Sequence, residues 1–206
     1  MNKGLSIILP VKPPEPYLEQ LKKDIEEKIF YLNIPHEIIV QTEKGLTNAV
    51  CLGVQNSHYD LILVMDADGS HNPLYMVTMW GLITYHGYDM VLGSKNVRGS
   101  KDISPFHRRL ISLCIRDLAR IMLGLEVGDP LAGFVMAKRE YFDRLLPTQD
   151  YKFVLQLLCM KPNTYEIPII FEERKAGKSK AQLSTGIRAI QQIFHLKLKQ
   201  MQGKYN

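Results

Sequence analysis

The longest stretch of the chain without polar relief is Leu61-Ile62-Leu63-Val64-Met65, inside a strand-like segment Tyr59–Met65. A strand that lacks polar alternation is covered on both faces, as in a sheet packed between helices. Leu5-Ser6-Ile7-Ile8-Leu9-Pro10 has the same character and reads as the first strand. Further strands are expected at Glu37–Val40, Asp89–Leu92, Phe134–Ala137 and Thr164–Glu172. Between them the period changes. Leu18, Leu21, Ile25, Ile29 and Leu32 recur at helical spacing, with Lys and Glu on the other face. Helices are also expected at Leu46–Gln55, Ile103–Leu123 and Tyr151–Met160. Asn72-Pro73 reads as a helix start, with Asn as N-cap and Pro in the first position, and that helix should run to about Tyr85, before Gly87. Residues 181–206 form a C-terminal amphipathic helix. Leu183, Ile187, Ile190, Phe194, Leu198 and Met201 lie on one face, with Arg188, Lys197 and Lys199 beside it. Strands alternating with helices predict one α/β domain over residues 1–206, built on a mixed, mostly parallel sheet with helices on both faces. In such sheets ligands bind beyond the carboxyl ends of the strands, so the residues after Met65 come first.

Composition changes this picture little. With 46% apolar and 23% charged residues, the chain has ample material for a core. The net charge of +5 fits either a solvated lysine surplus or an anionic partner such as a nucleotide, a phosphate or a membrane surface. Nucleic acid is the poorest fit, because the basic residues lack interleaved aromatics. Cys51, Cys114 and Cys159 are odd in number, far apart and set among apolar residues. They read as small core residues of a reducing, cytoplasmic setting. No apolar run approaches the ~20 residues of a membrane span, and Met1-Asn2-Lys3 leads straight into a strand rather than a signal peptide. A soluble or peripheral protein is expected.

Asp66-Ala67-Asp68 follows the most buried strand. Two carboxylates one residue apart on extended chain point the same way. Their repulsion is costly unless a cation or hydrogen-bond donors neutralise it. Hard oxygen ligands suit Mg²⁺ or Mn²⁺, and a nucleotide diphosphate would complete the shell. By spacing alone, a solvent-exposed turn with capping aspartates is an equal alternative.

Val64-Met65-Asp66-Ala67-Asp68-Gly69-Ser70-His71-Asn72-Pro73 resembles the Asp-x-Asp segment of family 2 inverting glycosyltransferases, and within them the MDADLQHPP-like segment of polyprenyl-phosphate (dolichol-phosphate) mannose synthases. Further likenesses follow in family order. Gly45-Leu46-Thr47-Asn48-Ala49 with Gly53 resembles the GLGxA…G helix, and Gly93-Ser94-Lys95-Asn96 the GSRY segment. His107-Arg108-Arg109-Leu110-Ile111-Ser112 resembles RRxxS, and Asp129-Pro130-Leu131-Ala132-Gly133-Phe134 resembles DPxSGF. Residues 171–180, FEERKAGKSK, resemble FxxRxxGxSK. The likeness spans residues 4 to 190.

The resemblance implies a GT-A type nucleotide-diphospho-sugar transferase fold, a GDP- or UDP-hexose donor, a divalent cation and a polyprenyl phosphate acceptor. It implies donor contacts at Pro10, Asp66, Ala67, Asp68, Arg174 and Lys178, the last two on a mobile loop, and metal contacts at Asp66, Asp68 and Ser70. Lys95, Arg108, Arg109, Ser112 and Asp129 fall on the acceptor phosphate, with Asp68, Arg109 and Lys95 central to catalysis. The chemistry fits this inventory. A phosphate nucleophile is already anionic near pH 7, since its second pKa is ~6. No general base is then needed, and positioning and cations do the catalysis.

The departures are specific. The family's acidic VDDGSxDGT-like segment after the second strand is missing, leaving Glu43 as the nearest acid. The first strand ends Leu9-Pro10-Val11-Lys12 rather than in a Pro-x-(Tyr or Phe)-Asn-Glu-like turn. Ser70 stands where the family has Gln, and Lys95 where it has Arg. Two other readings therefore stay open: the same donor chemistry on a soluble acceptor, or a degenerate protein that binds sugar nucleotides or membranes without catalysis. His71 is expected to hydrogen-bond rather than ligate, and Trp80, Met76, Met79 and Met90 to belong to the core.

Overall fold

The computed structural model describes residues 3–103, 106–147, 152–171 and 183–204, side chains of 106–108 and 183–185 aside. The elements run β1 (Leu5–Pro10), α1 (Leu18–Phe30), β2 (His36–Gln41), α2 (Leu46–Gln55), β3 (Leu61–Val64), α3 (Tyr75–His86), β4 (Met90–Ser94), β5 (Lys101–Asp102), α4 (Phe106–Leu123), β6 (Val135–Lys138), α5 (Arg139–Asp143), α6 (Phe153–Cys159), β7 (Thr164–Pro168), β8 (Ile170–Phe171) and α7 (Leu183–Met201). Six strands form one sheet in the order β2-β1-β3-β6-β4-β7, and β5 pairs with β8 in a small second sheet. β1 runs parallel to β2 and β3, and β4 to β7. Only β6 is antiparallel, set between β3 and β4. The sheet is thus mixed and mostly parallel, as expected.

The period of two along each strand sorts the core. Leu5, Ile7, Leu9, Leu61, Leu63 and Met65 face one side, against Leu21, Ile25 and Ile29 of α1 and Met76, Met79, Trp80 and Ile83 of α3. Ile8, Ile62, Val64, Met90 and Leu92 face the other, against α2, α5 and α6. Both faces of β3 are covered, which is why its sequence shows no alternation. Burying each such Leu or Ile is worth about 1.5–3 kcal/mol. A third cluster joins α4, α6 and α7 outside the sheet, through Ile115, Ala119, Leu155, Ala189, Ile193 and Leu196.

Several expectations need correction. Asn72 does not cap α3 as its N-cap. Its carboxamide accepts the Leu74 N–H at 2.9 Å, and a turn precedes the helix, which begins at Tyr75. The expected strand Thr164–Glu172 divides at Ile169. Its N–H binds Ser94 O and its carbonyl takes the Lys101 N–H, so the chain passes there from one sheet to the other. β5 and α5 lie outside the expected elements. Cys51 and Cys159 are buried but Cys114 is exposed. Burial pushes the Cys51 thiol up to about 11 and the Cys159 thiol to about 12, so both stay protonated. On α7 the buried stripe is Ala189, Gln192, Ile193 and Leu196. Of the expected face, Ile187, Phe194, Leu198 and Met201 are exposed and Ile190 is half-buried. Gly186 of α7 faces α4, where a Cβ would lie in ordinary contact, 3.5 Å from Ile115 Cδ1.

Candidate active site

The topology gathers the expected site residues at one edge. β1, β3, β4 and β7 all end there, and the antiparallel β6 begins there. Pro10, Asp66–Ser70, Gly133-Phe134, Lys95 and Ile169–Phe171 therefore meet at the carboxyl edge of the parallel strands.

Asp66 is half-buried and Asp68 is 5% exposed. The loop is held by its own polar groups. Asp68 Oδ1 accepts the Ser70 N–H at 3.0 Å. The reversal between them uses Gly69 at φ +79, a conformation that costs an L-residue about 1 kcal/mol or more. Asp66 N–H donates to Nδ1 of His71 at 3.3 Å. His71 is 3% exposed, stacks on Phe134 with centroids 5.0 Å apart, and meets the edge of Phe171 at 5.5 Å. It hydrogen-bonds, as expected, and fixes the loop that carries the aspartates. Phe134 is in turn seated by Gly93, where a Cβ would come within 2.7 Å of its ring.

Ser70 Oγ is fully buried and has no hydrogen-bond partner among the described residues. A buried hydroxyl left so costs roughly 1–3 kcal/mol. Two carboxylates and an unsatisfied hydroxyl on one loop form a hard-oxygen set that fits a divalent cation. Among the described residues no cluster of three or more His, Cys, Asp or Glu is placed to hold a metal. A cation here would need further oxygens from its ligand.

Lys95, Asn96, Ser100, Asp102, Arg109, Ser112 and Leu113 line a cavity of about 90 Å³. Three residues that the sequence assigns to an acceptor phosphate, Lys95, Arg109 and Ser112, are thus brought together from β4 and α4. Lys95 is closely placed. Its ammonium lies 3.4 Å from Asp102 Oδ2 and 4.8 Å from the Phe171 ring centroid, and its backbone N–H donates to Asp129 Oδ2 at 3.2 Å. Asp129 is 1% exposed, and its Oδ1 has no partner among the described residues. Its own N–H and that of Gly128 donate to Glu166 at 2.8 and 2.5 Å.

Sequence reasoning missed Asp102, Glu166 and the aromatic seat of Phe134 and Phe171. Glu166 carried a weak signal, a lone acid in an otherwise apolar strand. Asp102 carried none, because a two-residue strand has no pattern. Arg174 and Lys178, and the side chain of Arg108, lie outside the described residues. Pro10 sits at the same edge, at the end of β1. On the donor side, Glu43 Oε1 turns back to the Lys44 N–H at 2.8 Å in the short link to α2.

Residues 13–146 match the sequence model of Glycosyl transferase family 2. The chain is 31% identical over 169 residues to the dolichol-phosphate mannosyltransferase of Pyrococcus furiosus, covering 79% of this chain and 48% of that protein. It is 31% identical over 164 residues to the undecaprenyl-phosphate mannosyltransferase of Micrococcus luteus, covering 74% and 66%. It is 30% identical over 174 residues to the dolichol-phosphate mannosyltransferase of Saccharomyces cerevisiae, covering 77% and 63%. The aligned region thus spans about half to two-thirds of these relatives. Among solved structures, mannosyl-3-phosphoglycerate synthase from Rubrobacter xylanophilus superimposes with a TM-score of 0.69 at 14% identity, over 99% of this chain and 76% of that one. Glucosyl-3-phosphoglycerate synthase from Mycobacterium tuberculosis, solved with Mn²⁺, UDP-glucose and phosphoglyceric acid, gives 0.61 at 14% identity, over 96% and 79%. At such identities the likeness is one of fold, the GT-A type. The matched family region, the order of its motifs and the sheet edge on which they converge agree: this chain belongs to glycosyl transferase family 2.

Proposed function

We propose that the chain transfers a hexose, mannose first among candidates, from a GDP- or UDP-sugar to a polyprenyl phosphate, with inversion and with a divalent cation. The observation that carries this reading is the cavity shared by Lys95, Arg109 and Ser112, with Asp102 pairing Lys95, which connects to His71 of the aspartate loop through the Phe171 ring. Two cations and a hydroxyl suit a phosphate better than a neutral alcohol. The relatives named as polyprenyl-phosphate mannosyltransferases support the same acceptor class.

In this reading an acceptor phosphate oxygen attacks the anomeric carbon as the bond from that carbon to the nucleoside diphosphate breaks. The dianionic nucleophile brings no proton to remove, so no base is required. Arg109 and Lys95 hold the phosphate and offset its repulsion by the donor. Asp66, Asp68 and Ser70 would hold Mg²⁺ or Mn²⁺, which neutralises charge on the departing diphosphate. Arg174 and Lys178 are assigned to the donor diphosphate by motif alone.

A lipid acceptor also suits the exposed apolar residues of α4, the helix that supplies Arg109 and Ser112, and of α7 packed on it. Leu110, Ile111 and Ile121 of α4 and Ile187, Phe194, Leu198 and Met201 of α7 are exposed. Residues 183–204 contain Arg188, Lys197, Lys199 and Lys204 and no acid. An apolar stripe flanked by cations is the composition of a surface that lies on anionic lipid. No described helix is long and apolar enough to cross a membrane.

The test uses a short polyprenyl phosphate and the matched polyprenol. Transfer is expected to the phosphate only. Arg109→Ala should lose on the order of 100-fold in transfer while donor binding holds, since misplacing one reactant costs about that much. Equal glycosylation of the polyprenol, or normal transfer by Arg109→Ala, would overturn the acceptor assignment in favour of a soluble hydroxyl acceptor. No turnover of any nucleotide sugar would leave the non-catalytic binder.

A further inference from the structure

Glu166 has no place in the mechanism above, yet its carboxylate is fully engaged at the site. It stands on β7 in register with Leu92 of β4, and its two oxygens take the N–H groups of Gly128 and Asp129 at 2.5 and 2.8 Å. An ionised carboxylate only accepts, and such charge-assisted bonds are about twice as strong as neutral ones. The clamped segment delivers Asp129, whose Oδ2 takes the Lys95 N–H at 3.2 Å. Lys95 is the first residue after β4, and its ammonium is set at the other end by Asp102 and Phe171. The root of Lys95 thus depends on Asp129, and Asp129 on Glu166.

We propose that Glu166 is a positioning residue which, through the Gly128-Asp129 backbone and the Asp129 carboxylate, sets the position of Lys95 in the anion cavity. In its functional consequence this rests on the lipid-phosphate reading, while the clamp itself stands on geometry alone. Asp129 is almost fully buried, and its second oxygen has no partner among the described residues. Apart from the Ala132 N–H on its backbone carbonyl at 3.2 Å, the Asp129 contacts described run to Lys95 and Glu166, so loosening the Glu166 clamp should be felt at Lys95. A glutamine at 166 would turn an NH₂ group toward one of the two N–H donors and force that segment to shift.

The experiment compares the full chain with Glu166→Gln, Glu166→Asp and Asp129→Asn. The first readout is the Lys95 backbone amide, by its NMR shift and its hydrogen-exchange rate. The second is transfer to a short polyprenyl phosphate, set against calorimetric affinity for GDP- and UDP-sugars. Glu166→Gln should move the Lys95 amide resonance, speed its exchange and lower transfer kcat/KM by roughly 10- to 100-fold, with donor affinity unchanged. Glu166→Asp, which keeps the charge, should recover part of the loss, and Asp129→Asn should reproduce it. An unmoved Lys95 amide in Glu166→Gln overturns the proposal whatever the activity. Donor affinity falling in step with transfer overturns it as well, since that marks a general structural role. If the unmodified chain transfers nothing to the lipid phosphate while the Lys95 amide still responds, the clamp stands and the acceptor assignment alone fails.

Discussion

At the amino ends of the parallel strands, Asp89 receives Lys138 Nζ at 2.5 Å, the Asn163 N–H at 3.0 Å and Tyr141 Oη at 3.1 Å. Beside it, Arg139 donates to Tyr59 O, Val54 O and Ser57 Oγ. At the carboxyl ends of the same strands, the polar residues are similar in kind but differ in how far their capacity is used. Ser70 Oγ and Asp129 Oδ1 are buried without partners among the described residues, and Asp66 and Asp68 sit side by side on one loop. The first cluster fastens the sheet to α5 and to the turn before β7. The second maintains a costly arrangement that the fold itself does not need, and such groups mark sites awaiting a ligand. Saturation, more than charge or burial, separates the structural end of this sheet from the end where we place the site.

Removing a charge from each end should therefore have opposite signatures. Asp68→Ala should weaken metal-dependent nucleotide binding by more than roughly 100-fold, beyond the loss typical of groups that merely support a ligand. Its melting temperature should fall only slightly, because the loss of the Ser70 N–H acceptor is partly offset by removing one of two like charges on the same loop. Calorimetry with Mn²⁺ and a GDP- or UDP-sugar, beside a thermal melt, checks both halves. A large fall in stability with intact binding would erase the contrast between the two ends.

Asp89→Asn is the complementary case. It should cost about 1–3 kcal/mol of stability, the range for hydrogen bonds to a charged group, and each kcal/mol lowers Tm by about 2–4 °C at this size. Transfer measured well below the melt should not change. Burial alone would push the Asp89 carboxyl up. The bonds from Lys138, the Asn163 N–H and Tyr141 outweigh it and hold the group below its ordinary value. Its stabilisation is thus fully present above the ordinary carboxyl pKa of ~3.9 and is lost as pH falls through the lower folded value. The stability gap between the two proteins should narrow in that acid range, as read by melts between neutral pH and about pH 3.

The contrast between the ends also explains what the sequence could show. β1, β3, α1 and α2 were legible because their apolar patterns are dictated by two covered sheet faces. Asp66, Asp68, Lys95, Arg109 and Ser112 could be proposed from sequence because they sit in motifs a few residues long, and the structure brings Lys95, Arg109 and Ser112 to one cavity. What escaped depends on contacts between distant segments. Glu166 acts on residues 37 and 38 positions away, and Asp102 reaches Lys95 only because β5 pairs with β8. On α7 the sequence offers two apolar stripes. Periodicity cannot say which is buried, and in the structure it is the Ala189, Ile193 and Leu196 stripe that packs with Ile115 and Ala119 of α4. At Asn72 a capping residue was recognised correctly as an acceptor, but the turn after Pro73 moved the helix start to Tyr75.

The smallest effect expected is that of Lys95→Arg, and it sharpens the picture of the unsaturated end. The GSRY motif that Gly93-Ser94-Lys95-Asn96 resembles has Arg at this position, and Lys95 sits where a planar cation has two uses. Its ammonium lies 4.8 Å from the Phe171 ring centroid and 3.4 Å from Asp102 Oδ2. A guanidinium can stack on that ring and pair with that carboxylate while presenting remaining N–H groups to the cavity. The backbone bond to Asp129 does not depend on the side chain and survives the exchange. Lys95→Arg should therefore change transfer by no more than about threefold, about 0.7 kcal/mol, whereas Lys95→Met should lose on the order of 100-fold. The extra bulk in a cavity of about 90 Å³ is the opposing term. If crowding wins, the acceptor KM should rise while donor affinity stays fixed. Steady-state kinetics on the three proteins decide the matter, and a Lys95→Arg variant as inactive as Lys95→Met would mean that the cavity requires the compact ammonium itself, not merely a positive charge beside Phe171.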